Sequence, residues 1–185
     1  MKTIYAYYQS LVLVDQSQEF AKANLWKESW TRAGWNPVML NSSHAQISPA
    51  RTKLVTRLMQ EMPSLDPSIS RDAVHLRFAR LCALHAAGGG WLSDYDLLNL
   101  GFTPKNAEEY EKNSFAIAGK PAHLIFISNE IANAAMQKLL NTNLVQDGQM
   151  LSEQDFFNPF EEIKTDLVQH LNNLSDMKEK FLEKN

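Results

Sequence analysis

The sequence is poor in cysteine, glycine and proline, and each shortage excludes a class of protein. A single cysteine, Cys82, among 185 residues rules out a disulfide within the chain and a cysteine-rich zinc site. It also makes a reducing compartment the default expectation. Seven glycines and seven prolines are too few for a collagenous or largely disordered chain. With 44% hydrophobic residues, the chain is expected to form one domain with a core of its own.

The chain also lacks an excess of positive charge. Lysine and arginine number 18 against 21 aspartates and glutamates, which gives a net charge of −3. Proteins that bind nucleic acid normally present a basic face, so we expect no nucleic-acid partner. An anionic ligand held at one local site is compatible with this charge balance.

Long hydrophobic runs are missing as well, so we expect no membrane span. The apolar stretch after Lys2 is interrupted by Tyr5, Gln9 and Ser10, and no small-residue cleavage site precedes the polar stretch that begins at Asp15. This pattern favours a first strand over a signal peptide. We therefore expect a cytoplasmic protein.

Short β-branched and aromatic segments alternate with segments of helical spacing along the chain. Strands are predicted at residues 3–8, 35–40, 91–93, 115–118 and 124–128. Helices are predicted at residues 16–32, from Pro49, from residue 68 or 70 to 87, at residues 129–140, and from residue 161 to the C-terminus. The alternation predicts a single α/β domain over residues 1–160, with a mostly parallel central sheet and helices on both faces.

The last segment, residues 161–185, is predicted to form a C-terminal amphipathic helix packed on the domain. A dimer seam or a join to further domains of a longer chain is the alternative for this helix.

The strongest chemical signal is a pair of aspartates at the end of a predicted strand. Gly88-Gly89-Gly90 follows a helix, residues 91–93 form the strand, and Asp94 and Asp96 come directly after it. Strand alternation places both carboxylates on the same side. The glycines allow the backbone to approach closely, either to a ligand or to the neighbouring strand.

The chemistry of the aspartate pair favours a divalent cation. Two carboxylates this close repel each other unless a cation or protons lie between them. Carboxylate oxygens suit Mg²⁺ or Mn²⁺, which usually keep coordination positions for water and phosphate oxygens. A solvated acidic turn is the alternative interpretation.

The order of residues around this pair resembles that of a known enzyme group. Arg80 is followed by Leu84, then by Gly88-Gly89, a short strand, and the two aspartates. This order resembles the Asp-x-Asp glycosyltransferases of GT-A fold, in particular the large clostridial toxin glucosyltransferase domains and the yeast-type α-1,6-mannosyltransferases. The first strand at residues 4–8, Ser29-Trp30, Asn36-Pro37 and Leu40 also resemble that group. The resemblance covers roughly residues 2 to 100.

The resemblance implies a GT-A-like (Rossmann-like) fold and a metal-dependent transfer of a sugar from a nucleotide sugar, most often a UDP-sugar, with retention of configuration. It implies that Asp96 binds Mn²⁺ or Mg²⁺ at the diphosphate and that Asp94 holds the ribose or the sugar, directly or through the metal. Asp94, Asp96 and Arg80 are the implied catalytic residues. The implied donor-binding residues are Ala6, Tyr7, Tyr8, Arg77, Arg80, Asp94 and Tyr95. The acceptor stays open as a glycan, a protein or a small molecule.

Several other residues keep two interpretations. Arg77 and Arg80 lie three apart on one helix face, so both could contact phosphates or the sugar, or Arg77 could be a surface arginine. Glu153 and Asp155 could close on the site from a C-terminal loop, although an acidic helix start is favoured. Trp91 could be core or could line the donor pocket. The five histidines share no metal-ligand spacing, and each is expected to be a core or surface residue.

Three other function classes compete with the glycosyltransferase. Phosphatases that use Asp-x-Asp place the pair after the first strand, whereas here it falls in the middle of the chain. A nucleotidyltransferase would need a glycine-rich loop with a basic residue after the first strand, which this sequence does not show. The third class is a non-catalytic interaction domain that keeps the fold, and metal-dependent nucleotide binding distinguishes it from the enzyme.

Overall fold

A computed structural model describes residues 1–9, 15–113, 115–119, 122–128, 132–150, 161–163, 167–170 and 174–183. The helices are α1 (Gln16–Arg32), α2 (Ser42–Ile47), α3 (Arg51–Glu61), α4 (Arg71–Ala86), α5 (Pro104–Tyr110), α6 (Ala132–Asn141) and α7 (Leu174–Glu183), with a 3₁₀ turn at Met62–Ser64. The strands are β1 (Thr3–Tyr7), β2 (Asn36–Leu40), β3 (Gly90–Ser93), β4 (Leu97–Asn99), β5 (Phe115–Ala118), β6 (Leu124–Ile127), β7 (Val145–Gln146), β8 (Gln149–Met150), β9 (Glu161–Glu162) and β10 (Val168–His170).

The main sheet is mixed, in the order β2-β1-β3-β6-β5-β9. β1 pairs in parallel with β2 and β3, and β5 pairs in parallel with β9, but β6 runs antiparallel to both β3 and β5. The prediction of a mostly parallel sheet is therefore wrong. Only a short connection joins β5 to β6, and a connection of that length forces an antiparallel pair, because a parallel pair needs a crossover of a dozen residues or more.

Helices cover both faces of this sheet, and strand alternation divides the core accordingly. Ile4, Trp91 and Phe126 point to one face, where they pack with tryptophans of α1. Their neighbours Leu92 and Ile125 point to the other face, where they pack with apolar residues of α4 and of other helices. The α/β class and the helices on both faces follow from these two cores.

The best-patterned elements lie where the sequence places them. α1 has the predicted bounds, and Gly34 follows its end with φ of 90°. α4 begins after Ser70, whose hydroxyl accepts a hydrogen bond from the Ala73 N–H at 3.3 Å. Side-chain capping of this kind satisfies a backbone donor that the first helical turn leaves unpaired.

The C-terminal segment differs from its prediction. Instead of one helix from residue 161, it contains β9, β10 and the shorter helix α7. β9 extends the main sheet on distant β5, whereas β10 forms a separate two-stranded sheet with distant β4. Of the apolar residues behind the predicted helix, Ile163 directly follows β9, Leu167 directly precedes β10, and Leu174 and Phe181 lie in α7. α7 packs on α1, with Met177 buried and the Phe181 ring 4.4 Å from the Arg32 guanidinium carbon.

Five further short elements within the described residues were not predicted, namely α2, β4, α5, β7 and β8. In addition, α3 begins at Arg51 rather than at Pro49. None of the helices within the described ranges is both long and apolar enough to cross a membrane.

Candidate active site

An open cleft of about 480 Å³ lies at the carboxyl ends of β1 and β3. Its lining comes from the end of β1, one side of α4, the turn after β3 and the connection between β5 and β6. The lining residues are Tyr7, Gln9, Ala73, Leu76, Arg77, Arg80, Asp94, Tyr95, Asp96 and Ala122. Two arginines and two aspartates predicted from the sequence therefore meet in one cleft.

The position of the cleft follows from the strand order. The chain moves from β1 to β2 on one side and later returns to place β3 on the other side of β1. The connections that leave β1 and β3 consequently diverge and open a crevice between them. In open α/β sheets, ligands bind in such crevices at the carboxyl ends of the strands.

Asp94 is held in place on both carboxylate oxygens. Arg80 donates from Nη1 to Oδ1, and Nδ1 of His123 lies 2.9 Å from Oδ2. The same arginine donates from Nη2 to the carbonyl of Ala122 at 2.6 Å. The Asp94 N–H donates to the His123 carbonyl at 2.9 Å. Asp94 is therefore fixed by α4 on one side and by the residues just before β6 on the other.

Tyr95, between the two aspartates, lines the cleft with them and is anchored to α1. Its hydroxyl donates to Oε2 of Glu19, which is only 8% exposed, and Oε1 of Glu19 lies 2.9 Å from Nζ of Lys22. Burial raises the pKa of the Tyr95 phenol, and the hydrogen bond to the Glu19 carboxylate raises it further. The phenol thus stays protonated as a donor, and it holds the turn that carries Asp94 and Asp96.

Gly89 explains the glycine run before β3. Its φ is 86°, and a Cβ at this position would lie 2.7 Å from the carbonyl oxygen of Ile127. Of the two interpretations that the sequence left open, the structure shows a close approach to the neighbouring strand, at the end of β6. The glycine lets β3 and β6 come together, and this pairing sets the direction in which Asp94 leaves the sheet.

The three donor-binding residues predicted at the end of β1, Ala6, Tyr7 and Tyr8, lie in three different environments. Tyr7 lines the cleft and donates its hydroxyl to Oε1 of Gln9 at 2.8 Å, and burial raises the pKa of its phenol. Tyr8 packs edge-on against Tyr95 with ring centroids 5.5 Å apart. It lines a separate groove between α1 and β2. Ala6 is fully buried in the core on the α1 face, so its side chain does not line the cleft.

Trp91 is a core residue. It is 2% exposed, and its indole N–H donates to Oε1 of Glu111 at 2.8 Å. The pocket-lining interpretation of Trp91 is therefore not supported. Glu153 and Asp155 lie outside the described residues.

Sequence reasoning missed Gln9, His123 and Glu19. His123 was expected to be an ordinary core or surface histidine, because no nearby residue gives it a motif. Its contact with Asp94 spans 29 positions in the sequence, and that of Glu19 with Tyr95 spans 76. No local pattern predicts contacts at such separations. The sequence offered a signal for Gln9, which is a polar residue beside a strand end.

No ready-made cage for a metal exists in the part of the chain that the structure describes. There, no group of three or more His, Cys, Asp and Glu side chains is arranged to hold an ion. Both Asp94 oxygens already face Nη1 of Arg80 and Nδ1 of His123. The arrangement is compatible with a cation that takes one carboxylate from the protein and its remaining ligands from phosphate and water.

No family model, curated protein or solved structure matches the chain. The functional argument therefore depends on the cleft and on the sequence pattern.

Proposed function

We propose that this protein is a metal-dependent glycosyltransferase with a GT-A-like fold that transfers a sugar from a UDP-sugar to an acceptor. The observation that carries the proposal is the meeting of Arg77, Arg80, Asp94 and Asp96 in one cleft at the diverging ends of β1 and β3. A cleft with both cationic and anionic walls suits a ligand that is itself a phosphate–cation complex.

The size of the cleft supports a small-molecule ligand. Its volume of about 480 Å³ falls within the range of pockets that bury small ligands and cofactors. Tyr7, Ala73 and Leu76 give it an apolar part, and the charged residues give it a polar part. A nucleotide has the same division between a flat base and a charged diphosphate.

The charged residues are assigned different parts of the ligand according to their surroundings. Arg77 lines the cleft, and its planar guanidinium can bind paired oxygens, so we assign the phosphate oxygens to it. Arg80 holds Asp94. Asp94 is assigned to hydroxyls of the ribose or the sugar, because a fixed carboxylate is a good acceptor for them. Asp96 is assigned to Mn²⁺ or Mg²⁺.

Asp96 would hold a divalent cation, which would supply Lewis-acid stabilisation of the negative charge on the departing group. The chain itself contributes the orientation of Asp94 and Asp96, through the anchors at Arg80, His123 and Tyr95. Fixed groups of this kind lower the reaction barrier because no reorganisation is needed when charge develops.

Calorimetric titration with UDP, with and without Mn²⁺, tests this proposal. Wild-type protein is expected to bind UDP only weakly without Mn²⁺, and to bind Mn²⁺ only weakly without UDP, because the ion needs ligands from both. Asp96→Ala is expected to abolish the metal-dependent part. Glu109→Ala, which removes an exposed carboxylate on α5, is the matched control and is expected to bind as wild type does.

GDP serves as the control nucleotide, and a panel of UDP-sugars, scored for hydrolysis and transfer, then identifies the donor. The anomeric form of the product, read by NMR, tests the retention that the resemblance implies. A folded wild-type protein that binds neither nucleotide in the presence of Mn²⁺ contradicts the proposal and favours the non-catalytic interaction domain.

A further inference from the structure

His123 contacts Asp94, the first residue of the aspartate pair, although His123 belongs to no sequence motif. It lies directly before β6, and its backbone N–H donates to the Ala118 carbonyl at 2.8 Å, which closes the connection between β5 and β6. From this position it holds Asp94 twice. Its carbonyl accepts the Asp94 N–H at 2.9 Å, and its ring Nδ1 lies 2.9 Å from Asp94 Oδ2.

Together with the hydrogen bonds of Arg80, these contacts form a closed hydrogen-bond network around Asp94. The guanidinium bonds to the Asp94 carboxylate with one nitrogen and to the carbonyl of Ala122 with the other. Ala122 precedes His123 in the chain, so this hydrogen-bond network joins α4, the turn after β3 and the residues before β6. Rotation of the Asp94 carboxylate breaks at least one of these contacts, and its plane is therefore fixed.

The hydrogen-bond network also determines what Asp94 can bind. The carboxylate is 24% exposed, so part of it still faces the cleft. The positive charge of Arg80 on one oxygen makes the group a poor site for a second cation, while it remains a good acceptor for hydroxyl groups. Partners that orient a first contact in this way are often as necessary as the contact itself.

We propose that His123 is a positioning residue of the cleft, which orients Asp94 as the acceptor for hydroxyl groups of the nucleotide sugar. This role rests on the proposed function, since it takes the nucleotide sugar as the ligand. His123 acts through Asp94 and through the connection between β5 and β6, and Ala122 from that connection lines the same cleft.

The ring nitrogen that faces Asp94 predicts which substitutions preserve the role. A carboxylate accepts, so Nδ1 carries the hydrogen. The amide nitrogen of asparagine is separated from the backbone by the same number of bonds as Nδ1, whereas that of glutamine corresponds to Nε2. His123→Asn is therefore the conservative variant, and His123→Gln and His123→Ala remove the contact.

The test measures the affinity for UDP-glucose in the presence of Mn²⁺ by calorimetry on all four proteins. His123→Ala and His123→Gln are expected to bind about tenfold more weakly than wild type, as is usual for the loss of an orienting partner. His123→Asn is expected to stay within about threefold of wild type. Thermal unfolding of each variant confirms that the comparison is made on folded protein.

A ligand-free measurement separates this inference from the proposed function. In ¹⁵N NMR spectra at about pH 8, where an ordinary imidazole is neutral, the His123 ring is expected to carry its hydrogen on Nδ1 in wild type and to lose that preference in Asp94→Ala. Wild-type protein that binds no UDP-glucose but shows this tautomer overturns the proposed function and leaves the His123–Asp94 contact established. Equal affinities of His123→Asn and His123→Ala, or hydrogen on Nε2 in wild type, overturn the positioning role.

Discussion

The hydroxyl of Tyr95 donates a hydrogen bond to the buried carboxylate of Glu19, which ties the residue between the two aspartates to α1. Asp94, one position earlier, is tied to α4 through Arg80. Since α1 and α4 pack on opposite faces of the sheet, the turn after β3 is anchored from both layers. The carboxylates of Asp94 and Asp96 are thus carried by a rigid turn.

Tyr95→Phe removes this tie and keeps the ring. Oε2 of Glu19 then loses the Tyr95 donor at a residue that is 8% exposed, and a buried acceptor without its partner costs about 1–3 kcal/mol of unfolding free energy. Urea denaturation measures the loss. Tyr8→Phe is the control, because the Tyr8 ring packs against Tyr95 and has no hydrogen bond among the described residues. An equal loss in both variants would show that the hydroxyl of Tyr95 contributes nothing.

Ser93→Ala is expected to destabilise the strand that leads to Asp94. The Ser93 hydroxyl accepts from the indole N–H of Trp26 at 2.8 Å, and both residues are almost fully buried. The indole then lacks an acceptor, which costs about 1–3 kcal/mol in urea denaturation.

A double-mutant cycle isolates this hydrogen bond between Trp26 and Ser93. Once Trp26→Phe has removed the N–H, Ser93→Ala is expected to cost at least about 1 kcal/mol less than it does in wild type. Additive losses, with no coupling between the two positions, contradict the assignment.

Local patterns in the sequence predicted the elements that local forces determine. α1 and β5 have their predicted bounds, and α4 starts directly after Ser70, one of its two predicted start positions, because spacing, capping and a following glycine all act within a few residues. The aspartate pair was found for the same reason, since its signal is a short motif after a strand.

Pairing between distant segments determines the remaining elements, and no local pattern in the sequence predicts this pairing. Glu161–Glu162 and Val168–His170 become strands because β5 and β4 offer them free edges, against their helical spacing. β6 turns the sheet from parallel to mixed through its pairing on both sides. His123 and Glu19 reach the site only through such long-range packing.

Gly89→Ala is expected to lower the free energy of unfolding more than Gly34→Ala does, although the two glycines have a similar φ. Gly34 and Gly89 have φ of 90° and 86°, so both variants lose about 1–2 kcal/mol from the left-handed conformation. At Gly34 the nearest atom to the new Cβ is 3.7 Å away, whereas at Gly89 the Ile127 carbonyl oxygen lies at 2.7 Å.

The β3–β6 pairing must therefore shift in Gly89→Ala, and the total loss is expected to reach about 3 kcal/mol or more. Urea denaturation of the two variants compares the losses directly. Equal losses contradict the close approach of β3 to β6.

Cys82 is expected to behave as an inert core thiol. It is fully buried on α4, and burial raises the pKa of its thiol to about 11. The thiolate is the reactive form, so a disulfide reagent near neutral pH is expected to modify native protein slowly and unfolded protein at once. The reagent's absorbance change, followed in buffer and in concentrated urea, measures the two rates. Rapid modification of native protein contradicts the burial.

The same pKa shift predicts a loss of stability at alkaline pH. The unfolded thiol deprotonates near pH 9 and the native thiol near pH 11, so the native state binds more protons between these values. Its contribution is complete below about pH 9 and is lost as the pH rises to about 11, by about 3 kcal/mol in total. Cys82→Ala is expected to lower the unfolding free energy near neutral pH and to remove this part of the decline. Tyr95, whose phenol pKa is also raised, contributes equally to both proteins. Cys82 is one cause of the raised pKa of the Tyr7 phenol, so the difference between the two urea-denaturation series measures the thiol together with its coupling to Tyr7. Parallel declines contradict the raised pKa of the thiol.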